Sequence, residues 1–266
     1  MKKTVTIRNI VIGDGQPKIC VPLVGSTEEE IVRELGAFAP GSFLSAADAE
    51  KISLAEFRAD HFHALDNYEA LDAVLGKVRE AIGDRVLLFT IRSAREGGCW
   101  GEDSDSAYYD INRHVIEREL ADLVDLELFS EDREEIRSLI TLAHEHGRKV
   151  IMSNHEFERT PENAEMEGRL REMESLGADI AKLAVMPNSK SDVTRLMELT
   201  TRLTEDGMTI PVVTMSMGEI GAVSRITGGV TGSAITFASL EKSSAPGQLP
   251  VAELANALDI MRTLTQ

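Results

Sequence analysis

The chain has 266 residues, 42% hydrophobic and 27% charged, with 45 acidic residues against 28 basic ones and a net charge of −17. That length suits one large core, and so negative a field makes nucleic acid and anionic membrane surfaces poor partners. The only cysteines, Cys20 and Cys99, sit in unrelated contexts, so no disulfide framework or cysteine-based zinc site is expected and a reducing cytoplasm is.

Residues 1–9 carry positive charge, but Arg8, Asn9 and Asp14 interrupt any apolar core, so no signal peptide is expected. No apolar run is long enough to span a bilayer. Residues 4–13 alternate and close on Gly13-Asp14-Gly15, which predicts a short N-terminal hairpin. Residues 18–24 form an apolar strand ending at Gly25, and Ser26 with Glu29 has the look of a capping box. Residues 37–47 are small, polar and punctuated by Pro and Gly, an irregular connection.

From there a beat sets in. Strand-like runs fall at 53–58, 86–92, 123–129, 149–154, 180–186, 211–217 and 234–238. Amphipathic helical stretches follow them, at 67–82, 108–120, 132–146, 162–176, 192–206, 219–226 and 252–264. With residues 18–24 this makes eight βα units, which fits a (β/α)8 TIM barrel, one domain over 1–266, better than an open doubly wound sheet. No Gly-x-Gly-x-x-Gly follows the first strand, which argues against a dinucleotide site.

A barrel of this kind places its active site at the C-terminal ends of the strands. The second strand ends with Glu56, Arg58 and Asp60 on one face; the third with Arg92; the fourth with Asp125 and Glu127; the fifth with His155. The sixth carries Lys182 inside an apolar run bounded by Gly177 and Pro187. Such a lysine either snorkels into a salt bridge or becomes a desolvated amine able to form a Schiff base. Ser224-Arg225 follows the seventh strand, and 240–248 is a polar loop of lid character. Arg58, Arg92, Lys182 and Arg225 thus converge in a net-acidic protein, which suits a small anionic substrate, most simply a carboxylate. His61 and His63 lack a third ligand of suitable spacing, so no metal site is read there. Gly228-Gly229 with Gly232-Ser233 fits a tight turn better than a phosphate cradle.

These residues stand in six ordered motifs: Glu56-Phe57-Arg58-Ala59-Asp60, Phe89-Thr90-Ile91-Arg92-Ser93 with Glu96-Gly97-Gly98, Met152-Ser153-Asn154-His155-Glu156-Phe157, Lys182-Leu183-Ala184-Val185-Met186-Pro187, Thr214-Met215-Ser216-Met217 and Ser244-Ala245-Pro246-Gly247-Gln248. Together they resemble type I 3-dehydroquinate dehydratase over almost the whole chain. The resemblance implies a cytoplasmic hydro-lyase of the shikimate pathway, commonly dimeric, with 3-dehydroquinate as substrate and no metal or dissociable cofactor. It gives Lys182 the Schiff base and His155 the general acid/base role. It makes Glu56, Arg58 and Arg92 substrate-positioning residues, Arg225 the carboxylate clamp, and Ser244 and Gln248 lid residues. Two departures stand out: Pro22 occupies a position where a serine is expected, and the stretch 37–51 is longer than usual. A class I aldolase and a non-catalytic barrel binding a polyol carboxylate are the competing readings. The His155 motif and the lid sequence speak against the first, and the intact Lys182/His155 pair against the second.

Overall fold

A period of two runs along the inner strands, and its chemistry changes from one end to the other. The computed structural model describes residues 3–39, 44–101, 105–130, 132–240 and 245–265. A two-stranded antiparallel hairpin, β1 (Val5–Ile7) and β2 (Ile10–Ile12), comes first. Then β3 (Lys18–Leu23), β4 (Ile52–Arg58), β5 (Val86–Thr90), β6 (Leu123–Glu127), β7 (Lys149–Glu156), β8 (Ile180–Val185) and β9 (Val212–Ser216) pair in parallel in that order. The next strand, β10 (Ile235–Ser239), pairs in parallel with β3, and the two-residue β11 (Leu249–Pro250) adds to its other side.

Helices cover the outside. α1 (Glu28–Leu35) and α2 (Ala46–Lys51) lie between β3 and β4; α3 (Tyr68–Ile82), α4 (Asp105–Glu117), α5 (Arg133–Glu145), α6 (Asn163–Leu176) and α7 (Lys190–Arg202) each fill one later connection. Three four-residue turns, α8 (Gly218–Gly221), α9 (Val223–Ile226) and α10 (Gly228–Thr231), precede β10, and α11 (Val251–Thr265) follows β11. None of these helices is long and apolar enough to cross a membrane.

Along β4 the inward residues are Leu54, Glu56 and Arg58, while Ala55 and Phe57 face the helices. The same step from apolar to ionisable runs along β6 (Leu123, Asp125, Glu127), β7 (Ile151, Ser153, His155) and β8 (Ile180, Lys182). The N-terminal half of the interior is therefore an apolar plug, which Ile7 and Ile12 of the hairpin complete from below. Each such fully buried side chain contributes about 1.5–3 kcal/mol relative to exposure. The C-terminal half holds charge, and the plug keeps water from reaching it through the barrel.

The ring closes differently at one place. Between β9 and β10 there is no strand ladder; Ala234 N–H donates to Val212 O at 2.9 Å. The Ser233 hydroxyl accepts from Thr214 N–H at 3.0 Å and donates to Thr214 O at 3.1 Å. One backbone hydrogen bond and one side chain thus do the bridging that a ladder does elsewhere.

Local differences from the sequence reading have physical causes. The α1 cap is Thr27, whose hydroxyl accepts from Glu30 N–H, and Ser26 gives its own N–H and hydroxyl to the Glu30 carboxylate. The cap therefore lies one residue further along than Ser26, and Glu30 reaches back past it. α7 begins at Lys190 because Ser189 and Asp192 cap each other reciprocally. The expected helix over 219–226 is broken at Ala222 into two turns, and the Gly228-Gly229 stretch forms a third. β7 runs on to Glu156, which makes His155 a strand residue and not a loop residue.

Candidate active site

Lys182 reaches into the barrel mouth from β8 with 5% of its side chain exposed. Its Nζ lies 3.4 Å from Asp125 Oδ2 and 4.5 Å from the centre of the Phe237 ring. The lysine is thus buried and has a carboxylate partner within the barrel. Burial acts to raise the Asp125 carboxyl, but Arg92 and Lys182, with the Ser153 hydroxyl, outweigh it and hold it below the usual carboxylate range. Cys20 faces the same interior, but burial, then Glu56, pushes its thiol well above the usual range, which leaves it a poor nucleophile.

His155 stands one inward step beyond Ser153, which is the register partner of Lys182. Its Nδ1 is 2.9 Å from Glu96 Oε2, the same oxygen that accepts its backbone N–H at 2.9 Å. Burial, then the charges of Arg92, Lys182 and Arg58, drive the imidazole well below its ordinary value. Burial and the neighbouring Glu127 push Glu96 the other way, up to about 8. Both shifts favour the uncharged forms, so His155 rests as a neutral imidazole. With Nδ1 facing Glu96, Nε2 is the nitrogen available to the cavity.

The arginines divide sharply. Arg58 makes a bidentate pair with Asp60, both bonds 2.8 Å, and Arg92 donates to Asp125 at 2.7 Å and to Glu127 at 2.9 Å. Their charges are answered by the protein's own acids. Arg225, buried on α9, donates to Pro246 O at 2.9 Å and faces Met215 Sδ at 3.7 Å. Among the described residues it has no carboxylate partner, and its Nε is buried without an acceptor. Burial alone pushes it down to about 10, still cationic at neutral pH. That is the arrangement of a cation awaiting an anion.

Glu56, Arg58, His155, Lys182, Met215 and Phe237 line one cavity of about 40 Å³, with Gln248 at its rim. Arg92 lines it too, and Glu56 accepts from the Thr90 hydroxyl at 3.0 Å. Pro22, the register partner of Glu56, is buried on β3 and has no side-chain donor to offer. Arg225 sits beside this cavity, sharing Met215 with it. Ser244 lies outside the described residues. A second recess of about 360 Å³ opens on the far side of His155, between Glu96, Asn154, Phe157 and Arg169.

Asp60, His61 and Cys99 bring potential ligand atoms within 4.8 Å of one another. Both Asp60 oxygens, however, already accept from Arg58 and from a backbone N–H, of Arg92 or of Cys99. Each lone pair of that carboxylate is in use, so the trio is a poor cation cage.

Sequence reasoning did not single out Glu96. It stands in a loop beside Gly97-Gly98, and only the short 3-10 turn Ala94–Glu96 swings it onto His155. Gly97, at φ 80°, could not carry a side chain there, since a Cβ would sit 2.3 Å from the Phe157 ring.

The chain as a whole is similar to proteins of one family. Residues 19–265 match the family model for type I 3-dehydroquinase. The chain is 41% identical over 265 residues to the 3-dehydroquinate dehydratase of Alkaliphilus oremlandii, covering 100% of both chains. It is 43% identical over 262 residues to that of Clostridium novyi, covering 98% of this chain and 99% of the relative. The type I 3-dehydroquinate dehydratase structure from Clostridium difficile superposes with a TM-score of 0.90 at 37% identity, over 99% of this chain and 100% of that one.

Proposed function

The chain belongs to the type I 3-dehydroquinase family, and we propose on that footing that Lys182 forms the Schiff base and His155 moves the protons of the reaction. The activity is 3-dehydroquinate dehydration, a hydro-lyase step of the shikimate pathway that yields 3-dehydroshikimate and water. The observation that carries the assignment of residues is the cavity that Lys182 and His155 share, with Arg225 unanswered beside it.

The sequence of events follows from the donors present. The Lys182 amine, having given up a proton, adds to the ring ketone, and loss of water leaves a protonated imine. That cation is an electron sink, so the adjacent C–H becomes acidic enough for His155 Nε2 to remove its proton. The electron pair moves into the imine to form an enamine. It then returns to expel the β-hydroxyl, which takes the proton back from His155 and leaves as water. Hydrolysis of the conjugated imine frees the enone and restores the amine. Arg225 receives the substrate carboxylate, and Glu56, Arg58, Arg92 and Gln248 fit the hydroxyl side. Arg92 also fixes Asp125 and Glu127, so that part of its contribution is to hold the lysine's neighbour in place.

One experiment tests the assignment. Purified protein is given 3-dehydroquinate, enone absorbance is followed, and borohydride is added before peptide mapping. A ligand-sized mass on Lys182 is the expected result; an adduct on Lys149 or Lys190 overturns it. The family resemblance also supports a single domain over 1–266, a homodimer and a cytoplasmic setting. Sedimentation equilibrium and cell fractionation test the last two.

A further inference from the structure

Behind the His155/Glu96 pair a chain of hydrogen bonds runs outward to α6. Asn154 Nδ2 donates to Glu96 Oε1 at 3.0 Å, and Arg169 NH1 donates to Asn154 Oδ1 at 2.7 Å. Arg169 is itself held: Glu165 and Glu156 pair with it, and its guanidinium lies 5.2 Å over the Phe129 ring.

Donor and acceptor chemistry fixes the direction of this chain. A guanidinium can only donate, so Asn154 must turn its oxygen to Arg169 and its NH2 to Glu96. An amide NH2 can only donate, so a proton on Glu96 Oε1 would find no acceptor in Asn154. Oε2 also receives the His155 N–H and lies 3.6 Å from Arg92 NH1, but it alone faces an acceptor, His155 Nδ1 at 2.9 Å, so a proton on this carboxyl is favoured there. We propose that Arg169 and Asn154 are positioning residues that keep the exchangeable proton of Glu96 on the His155 side. This rests on the acid/base reading of His155 given above.

The consequence is chemical. In the base form Glu96 is a carboxylate, His155 carries its single proton on Nδ1, and Nε2 is a lone pair facing the substrate. As Nε2 takes the substrate's proton, Nδ1 passes its own to Oε2. As Nε2 then gives that proton to the departing hydroxyl, Oε2 returns its proton to Nδ1 and both groups regain their starting forms. A flipped Asn154 amide would offer its oxygen to Glu96 and draw the proton to the wrong side. The charged groups around the pair are Arg58, Arg92, Asp125, Glu127, Glu156, Lys182 and Arg169; Arg92 NH1 itself lies 3.6 Å from Oε2, but it stays a fixed donor through Asp125 and Glu127, whereas the Asn154 amide is the group beside Oε1 whose polarity could reverse.

The test is Asn154→Asp, which keeps the shape and the Arg169 contact but replaces the NH2 by a second acceptor. kcat should fall by at least about tenfold, and by no more than the roughly 10²–10⁴ that a positioned base supplies, with KM nearly unchanged. The apparent pKa of the basic-form requirement should move upward, because a carboxylate now faces Glu96. Arg169→Lys, still only a donor, should keep most of the rate, and Arg169→Met should not. Wild-type kcat and an unmoved pH profile in Asn154→Asp overturn the proposal, as does a rate loss that tracks a lower melting temperature with the profile unmoved. Borohydride trapping separates the two claims: absence of a Lys182 adduct in the wild type sinks the underlying assignment, whereas trapping in every variant with no change in kcat sinks this inference alone.

Discussion

Glu96 Oε2 lies 2.9 Å from both the backbone nitrogen and the ring Nδ1 of His155. One oxygen therefore sets the residue's position and its tautomer together, and substitutions at Glu96 should separate the two. In Glu96→Gln, an NH2 turned to Nδ1 fixes the imidazole proton on Nε2 and meets the His155 N–H, while an NH2 turned the other way meets the Asn154 NH2. In either orientation the carboxylate that would take up the Nδ1 proton is gone, so His155 is a much weaker base. kcat should fall by about 10²–10⁴ while borohydride still traps the Lys182 adduct. A variant with near-normal turnover would assign the base to another group.

The same residue predicts how stability changes with pH. Glu96 ionises near 4.5 when unfolded, and burial lifts it to about 8 in the folded protein. Between these values the folded state binds more protons than the unfolded chain. The stability this group contributes is thus present below about pH 4.5 and is lost as pH rises towards 8. Glu96→Gln has no such titration, and His155, whose shift runs the other way, is present in both proteins. Melting curves from about pH 5 to 8 should show the variant gaining on the wild type; a constant gap would contradict the shift.

Arg225 is expected to act through its fork. Arg225→Lys keeps a charge but replaces two parallel donors by a point charge, and should weaken substrate binding by about 1–3 kcal/mol. Calorimetric titration of Lys182→Ala, with and without Arg225→Lys, reads binding apart from turnover. Equal affinities would remove Arg225 from the site.

Gly247 supports that fork from behind. Its φ is 79°, and a Cβ there would lie 2.4 Å from Gly218 O. Next to it, Pro246 O accepts from Arg225 and from Gly218 N–H. Gly247→Ala should cost about 1–3 kcal/mol in strain and raise KM more than it lowers kcat. Gly76→Ala, in α3 with open space at its Cβ, is the control: it should raise stability by up to about 1 kcal/mol and leave kinetics alone.

The barrel was legible because period and spacing are local properties: Leu54-x-Glu56-x-Arg58 states which face is inward before any contact is known. The ends of α1 and α7 were less so, since Ser26, Thr27 and Ser189 are all competent caps and only backbone geometry chooses among them. Lys182, His155 and Arg225 could be found because each follows or interrupts an apolar run. Which arginine would be free to bind an anion could not, because that depends on Asp60, Asp125 and Glu127 lying across from Arg58 and Arg92 in space. Glu96 was hidden for a similar reason: its motif names a turn, and only folding shows where the turn points.

The Ser233 bridge between β9 and β10 has a consequence during synthesis. Because the last barrel strand takes its register from β3 and not from β9, the outer edge of β3 has no partner until nearly the whole chain has left the ribosome. An unpaired parallel edge is a template for other chains. Truncated chains that stop before Ile235 should therefore collect in the insoluble fraction, while full-length chains should not. The hydroxyl of one serine, in that light, marks where the growing chain is last to become safe.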